Sequence, residues 1–290
     1  MIKKSLTFLL WFIFLIIVLG ISIVSNISSE RLTPWVELQV NQYLKQDFEI
    51  EIGLVQPNWN GLQLEKIKVI HRIKKENIFV INTLTTQLDP VSLAINQGVP
   101  FQMTLYRGEV RGVMIPIPPI KAKFTGVGIM VNDHPLLRST DIVASAPSLD
   151  FNGTATFSDL INGTIGLSLS KLKLSGQALK PYIQMQLPDA EISSVKADLL
   201  MEMSTLKITA ESEGDVVSTV SGDISLNMRD VSRSGLNLNL TARLKEKYYS
   251  QLGFLKNIIQ SFTGPDGQVS IQITGDAQRP NVKRLTTTKK

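Results

Sequence analysis

The chain has 290 residues, 43% of them hydrophobic and 19% charged, which is enough apolar material for a large core or two small ones and excludes a chain disordered throughout. It contains no cysteine and two histidines, His71 and His134, so disulfides, thiolate nucleophiles and Cys/His metal cages are excluded by composition. A net charge of +5 would point to nucleic acid if basic residues clustered beside aromatic ones, but they are dispersed and aromatics make up 7% of the chain, so no nucleic-acid partner is expected.

The chain opens "MIKKSLTFLLWFIFLIIVLGISIVSNISSE", with Lys3 and Lys4 followed by no further charge until Glu30. Residues 6–24 would span about 28 Å as a helix, close to the hydrocarbon thickness of a bilayer. The side chains expected to hold the membrane are Leu6, Phe8, Leu9, Leu10, Trp11, Phe12, Ile13, Phe14, Leu15, Ile16, Ile17, Val18, Leu19, Ile21, Ile23 and Val24. A cleaved signal peptide needs a shorter apolar core followed by a small-x-small site, and the only such pair, Gly20 and Ser22, lies inside the apolar run. A retained anchor is therefore expected. The two lysines keep residues 1–5 in the cytoplasm and place the rest beyond a single-pass inner membrane, in the periplasm if the cell is a bacterium.

Residues 30–47 read as a membrane-proximal amphipathic helix that caps the first strands. Thr33 is its N-cap, Pro34 its first helical position, and Val36, Val40, Tyr43 and Leu44 its apolar face. From Phe48 the period changes to two, and "FEIEIGLV", "GLQLEKIKVI" and "NIFVINTLTTQL" read as strands. The densest basic group, Lys66, Lys68, Arg72, Lys74 and Lys75, alternates with apolar residues and reads as the solvated side of a strand. A brief helix closed by Gly98 is expected in "DPVSLAINQG", with strands at "FQMTLYRGEVRGVM" and "IKAKFTGVGIMV" joined through the extended "MIPIPPI".

Farther on, Asn152-Gly153 and Asn162-Gly163 mark tight turns, and Ile165, Leu167 and Leu169 alternate with small polar residues. Val195, Ala197, Leu199, Met201 and Met203 share one parity and Leu206, Ile208 and Ala210 the other, which implies a bend between them. In "GLNLNLTARL" the leucines face one way and Asn237, Asn239, Thr241 and Arg243 the other. One helix is expected in "RLKEKYYSQLGFLKNIIQSF", from Leu244, Tyr248, Leu252, Leu255, Ile259 and Phe262. A turn at Pro265-Asp266-Gly267 leads to a last strand through Val269, Ile271 and Ile273. Residues 48–284 thus form a β-rich domain and 285–290 a solvated tail.

Catalytic signals are missing. His71 lies in the basic strand and His134 precedes a proline in a turn; neither stands near a nucleophile elbow, and no phosphate-cradling glycine loop occurs. A carboxylate-based hydrolase stays open on sequence, because acid and base can meet from distant strands. No cofactor or metal is expected.

In order behind the anchor stand "FEIEIGLVQPNWNGLQLEKIKV", "DPVSLAINQGVPFQMTLYRGEVRG", "LKITAESEGDVVSTVSGDISLNMRDVSRSGLNLNLTARL", a helix, and "PDGQVSIQITGDAQRPNVKRL", which carries Ile273, Gly275 and Pro280 as a closing strand-Gly-x-x-x-x-Pro signature. Over nearly the whole chain this arrangement resembles the type II secretion system protein N family and, more broadly, the AsmA-like periplasmic proteins. The resemblance implies a mainly β fold: an elongated, curved antiparallel sheet with a few short helices. It also implies a non-enzymatic role, with sheet surface presented to other secretion-system proteins. The alternative it implies is an AsmA-like protein of lipid transport or envelope maintenance, with lipid held in an apolar groove.

Overall fold

A computed structural model describes residues 28–43, 48–58, 61–72, 75–87, 98–115, 119–134, 143–145, 147–157, 161–178, 187–227, 233–264 and 267–285. The anchor at residues 6–24 and the helix expected before Gly98 lie outside them. Among the described residues no helix is long and apolar enough to cross a membrane.

The fold is mainly β, an antiparallel sheet whose strand order is the order of the sequence. The chain divides into two compact units, one ending at Leu105 and the other beginning at Tyr106. The first holds helix α1 (Ser29–Tyr43) and strands β1 (Phe48–Asn58), β2 (Gly61–His71), β3 (Glu76–Gln87) and β4 (Val99–Leu105). The second holds β5 (Gly108–Ile115), β6 (Ile120–Met130), a 3-10 turn (Val131–Asp133), β7 (Ser148–Phe157), β8 (Ile161–Leu174), β9 (Ala190–Glu202), β10 (Thr205–Gly214), β11 (Val216–Ser225) and β12 (Gly235–Leu244). It is completed by α2 (Glu246–Gln251), α3 (Leu255–Phe262), β13 (Val269–Asp276) and β14 (Arg279–Arg284).

In the first unit the strand alternation builds a covered core. Ile52, Val55 and Ile67 are buried, flanked by Ile50, Leu62, Leu64, Ile81 and Leu84, and Leu32 and Val36 of α1 pack on them. The helix caps the first strands as its pattern predicts, but it begins a turn early, with the Arg31 and Leu32 amides donating to the carbonyl of Ser28. Thr33 is therefore inside the helix rather than at its cap, and its hydroxyl donates to Ser29 at 2.8 Å and accepts from the Val55 amide at 2.9 Å. Pro34 lies within the helix, in its second turn, and has no N–H to give the carbonyl of Glu30, an exposed residue. Lys66 and Lys68 of β2 are exposed, Lys68 reaching Glu51 at 3.7 Å, and Arg72, just past the strand, reaches Glu49 at 3.9 Å.

The second unit corrects three expectations. Asn152-Gly153 and Asn162-Gly163 are not turns: both sit inside strands, where Gly153 faces Ile165 and Gly163 faces Ala155. Glycine is required there by close approach, since a Cβ on Gly153 would lie 2.7 Å from the Thr164 carbonyl and one on Gly163 2.3 Å from that of Thr154. The single helix expected from Leu244 to Phe262 is two, because Gly253 takes φ +55° and breaks it; Leu244 itself ends β12. Finally, the strand through Val269 is not the last. β14 pairs with it, hidden from a periodicity reading because "RPNVKR" has one aliphatic residue and is exposed throughout.

The bend after Met203 is a hairpin that pairs Met201 with Leu206, Leu199 with Ile208 and Ala197 with Ala210. The opposite parities of β9 and β10 therefore meet on one face.

Candidate functional site

Cross-strand register turns the alternation of single strands into a continuous surface of the second unit. Phe124 faces Gly153, Gly153 faces Ile165, and the row continues through Leu199, Ile208, Gly222, Leu238, Ile273 and Val282. On one side of it runs a row through Phe151, Leu167, Ala197, Ala210, Val220, Leu240 and Ile271, ending at Arg284. On the other runs one through Ala155, Gly163, Met201, Leu206, Ile224 and Leu236. The opposite face of the same strands carries Thr125, Asn152, Asp198, Thr209, Ser221, Asn239, Gln272 and Lys283 in register. One side of the sheet is dry in composition and the other wet.

Among the described residues, little lies over the dry side. Ile165, Leu199, Ile208, Leu238 and Ile273 are half-buried, none fully, and Val282 is 57% exposed. The described strands of this unit belong to one sheet, and among the described residues no second sheet lies over them. The described helices of this unit pack elsewhere, at strand ends: Tyr248, Leu252 and Leu255 form a buried cluster with Ala190, against Leu174, Leu187 and Leu244. Tyr248 ties α2 down by donating its phenol to the Pro188 carbonyl at 3.1 Å. Burial, and then the negative charges of Asp215 and Asp189, raise the pKa of that phenol above the usual 10.0.

Where the dry rows reach α2 and α3 they meet a cavity of about 1210 Å³. Ala242, Leu244, Tyr249, Ile259 and Val269 give it an apolar wall, while Arg243, Lys245 and Arg284 line it with Glu246 as the acid among them. Arg284 is held in place: its guanidinium donates to the carbonyls of Ser261 at 2.7 Å and Thr263 at 3.1 Å, at the C-terminal end of α3, where the helix dipole favours a cation.

The chain matches no family model, no curated protein and no solved structure. Function must therefore be read from the surface itself.

Neither histidine is part of these rows: His71 belongs to the first unit, and His134 lies outside the strands of the second. His71 ends β2 with its ring 5.9 Å from that of Phe48, and His134 follows the 3-10 turn with its ring 5.4 Å from that of Tyr106. No cluster of three or more His, Asp or Glu residues that could hold a metal occurs among the described residues. The apolar parity of β8, β9, β10, β12 and β13 was legible in the sequence, but not β14, the cavity or its basic wall. Arg243 looked like one more wet-face residue, and Arg284 lay in a strand whose pattern carried no signal.

Proposed function

We propose that the protein is a non-enzymatic, membrane-anchored binding protein whose second unit holds hydrocarbon chains on its dry sheet face. The observation that carries this reading is the row from Phe124 to Val282, apolar side chains spaced by Gly153 and Gly222, left only partly buried where a globular domain would cover it. Acyl chains suit such a surface because they need no hydrogen bonds from it, and each methylene removed from water contributes about 0.8 kcal/mol. The basic wall of the cavity, formed by Arg243, Lys245 and Arg284, supplies a place for an anionic head beside the apolar track.

The test is mass spectrometry of lipid extracted from the full chain purified in mild detergent, beside Leu238→Lys and Ile273→Lys variants. Anionic lipid carried by the parent and lost in both variants supports the reading; no lipid in the parent overturns it.

The second reading is a component of the type II secretion system. It rests on the resemblance of the sequence segments in their order, and is favoured by the outer edge of β14, beyond which no described strand lies, since a part of a larger machine must offer surface to other chains. Capture of secretion-system proteins by the intact, membrane-embedded chain tests it; their absence from the captured set counts against it.

A further inference from the structure

We propose that the outer edge of β14 is a docking site for an extended, acidic segment of a partner protein, which adds to the sheet as a further strand. The inference deepens the secretion reading and is independent of what the dry face holds.

The backbone of β14 has one side committed and one side open. The Leu285 amide donates to the Ser270 carbonyl at 2.9 Å, which fixes the alternation of the antiparallel ladder. Lys283 and Asn281 then bond inward to Gln272 and Thr274, while Val282 and Arg284 turn their N–H and C=O groups outward. Pro280 offers outward only a carbonyl. No described strand lies beyond this row.

Side chains define what fits. Arg279 and Lys283 stand with Asn281 on the wet side of the strand, and Pro280, Val282 and Arg284 on the dry side. The strand carries no acid. The nearest, Asp276, accepts the Arg279 amide at 2.7 Å and closes the hairpin. An incoming strand that alternates carboxylates with aliphatic residues would place the carboxylates beside Arg279 and Lys283 and the aliphatic groups beside Val282. A second copy fits less well: pairing β14 with itself gathers two sets of Arg279, Lys283 and Arg284 with no compensating acid on either strand. The edge of β1 is closed to such pairing, because side chains of α1 occupy its amides.

The experiment uses the full chain in detergent and two labelled eight-residue peptides, one alternating valine with glutamate and one alternating valine with lysine, read by fluorescence anisotropy. The expected result is saturable binding of the glutamate peptide, roughly tenfold tighter than the lysine peptide. Val282→Pro removes an outward N–H without touching the ladder to β13, so it should weaken glutamate-peptide binding about tenfold with the melting temperature unchanged. The pair Arg279→Glu and Lys283→Glu should reverse the preference between peptides. No binding, equal binding of both peptides, or full binding by Val282→Pro would each overturn the proposal. Those outcomes concern the edge alone and leave the secretion reading to be decided by captured partners.

Discussion

At β1, helix α1 lays one stripe of side chains, Thr33, Glu37 and Asn41, along the strand backbone. The Val55 amide donates to Thr33 at 2.9 Å and the Ile52 amide to Glu37 at 3.0 Å. Asn41 both accepts from the Ile50 amide at 2.7 Å and donates to the Ile50 carbonyl at 2.8 Å. At β14 the relation is reversed: the carbonyls of Ser261 and Thr263 at the end of α3 accept from the side chain of Arg284. A spacing of four residues puts the three α1 groups on one helix face, so one short helix both roofs the first unit's core and closes its edge. An edge can thus be finished by side chains in place of a strand, as at β1, whereas β14 is the last described strand of the sheet.

The comparison breaks most severely if the platform under α1 is hollowed out. Ile67 is 4% exposed in the core on which the helix rests, so Ile67→Ala should lower stability by about 2–5 kcal/mol in denaturant titration. Removing the edge groups themselves comes next. Thr33→Val leaves the amide of fully buried Val55 without an acceptor, and Asn41→Leu strips both Ile50 groups. Each should cost about 1–3 kcal/mol. Amide exchange should show Ile50, Ile52 and Val55 losing protection, while Val282 and Arg284 exchange quickly in every variant.

A smaller effect sharpens the comparison on the side of the second unit. Tyr248→Phe removes the bond to Pro188 and should cost about 0.5–1.5 kcal/mol near neutral pH. Because the folded protein raises the Tyr248 pKa, the native state holds this proton more tightly than the unfolded chain. The contribution is complete below pH 10 and declines as pH rises from there through the folded value. Alkaline unfolding curves of Tyr248→Phe should lack that part of the decline. The least effect belongs to Val282→Pro, expected to stay within about 0.5 kcal/mol of the parent because its lost N–H faces outward. If Val282→Pro proved as costly as Thr33→Val, the two edges would not differ as described.

Much of the strand content was legible because it depends on local periodicity. The alternation in "GLNLNLTARL" gives a dry and a wet side whatever its neighbours are, and the register honours it, with Leu238 and Leu240 facing Ile273 and Ile271. The cap role of α1 was legible for a similar reason, though its polar contacts were not: Thr33 reads as an N-cap, and Glu37 and Asn41 as ordinary solvent-facing helix residues, until β1 is beside them. The glycines of β7 and β8 misled because Asn-Gly has the same composition in a turn as in a strand that needs close approach. Only the opposing Thr154 and Thr164 carbonyls decide between them.

The sequence by itself determined the class of the fold, the two-sided character of its strands and the want of familiar catalytic residues, because side-chain period and residue type are local properties. Tertiary structure alone decided that the dry sides line up into one row from Phe124 to Val282, that Arg243 and Arg284 share a cavity, and that α1 closes the edge of β1 while no described strand lies beyond β14. Each of those depends on which strand lies next to which and in what register, and a one-residue slip would have turned the same side chains to the opposite face.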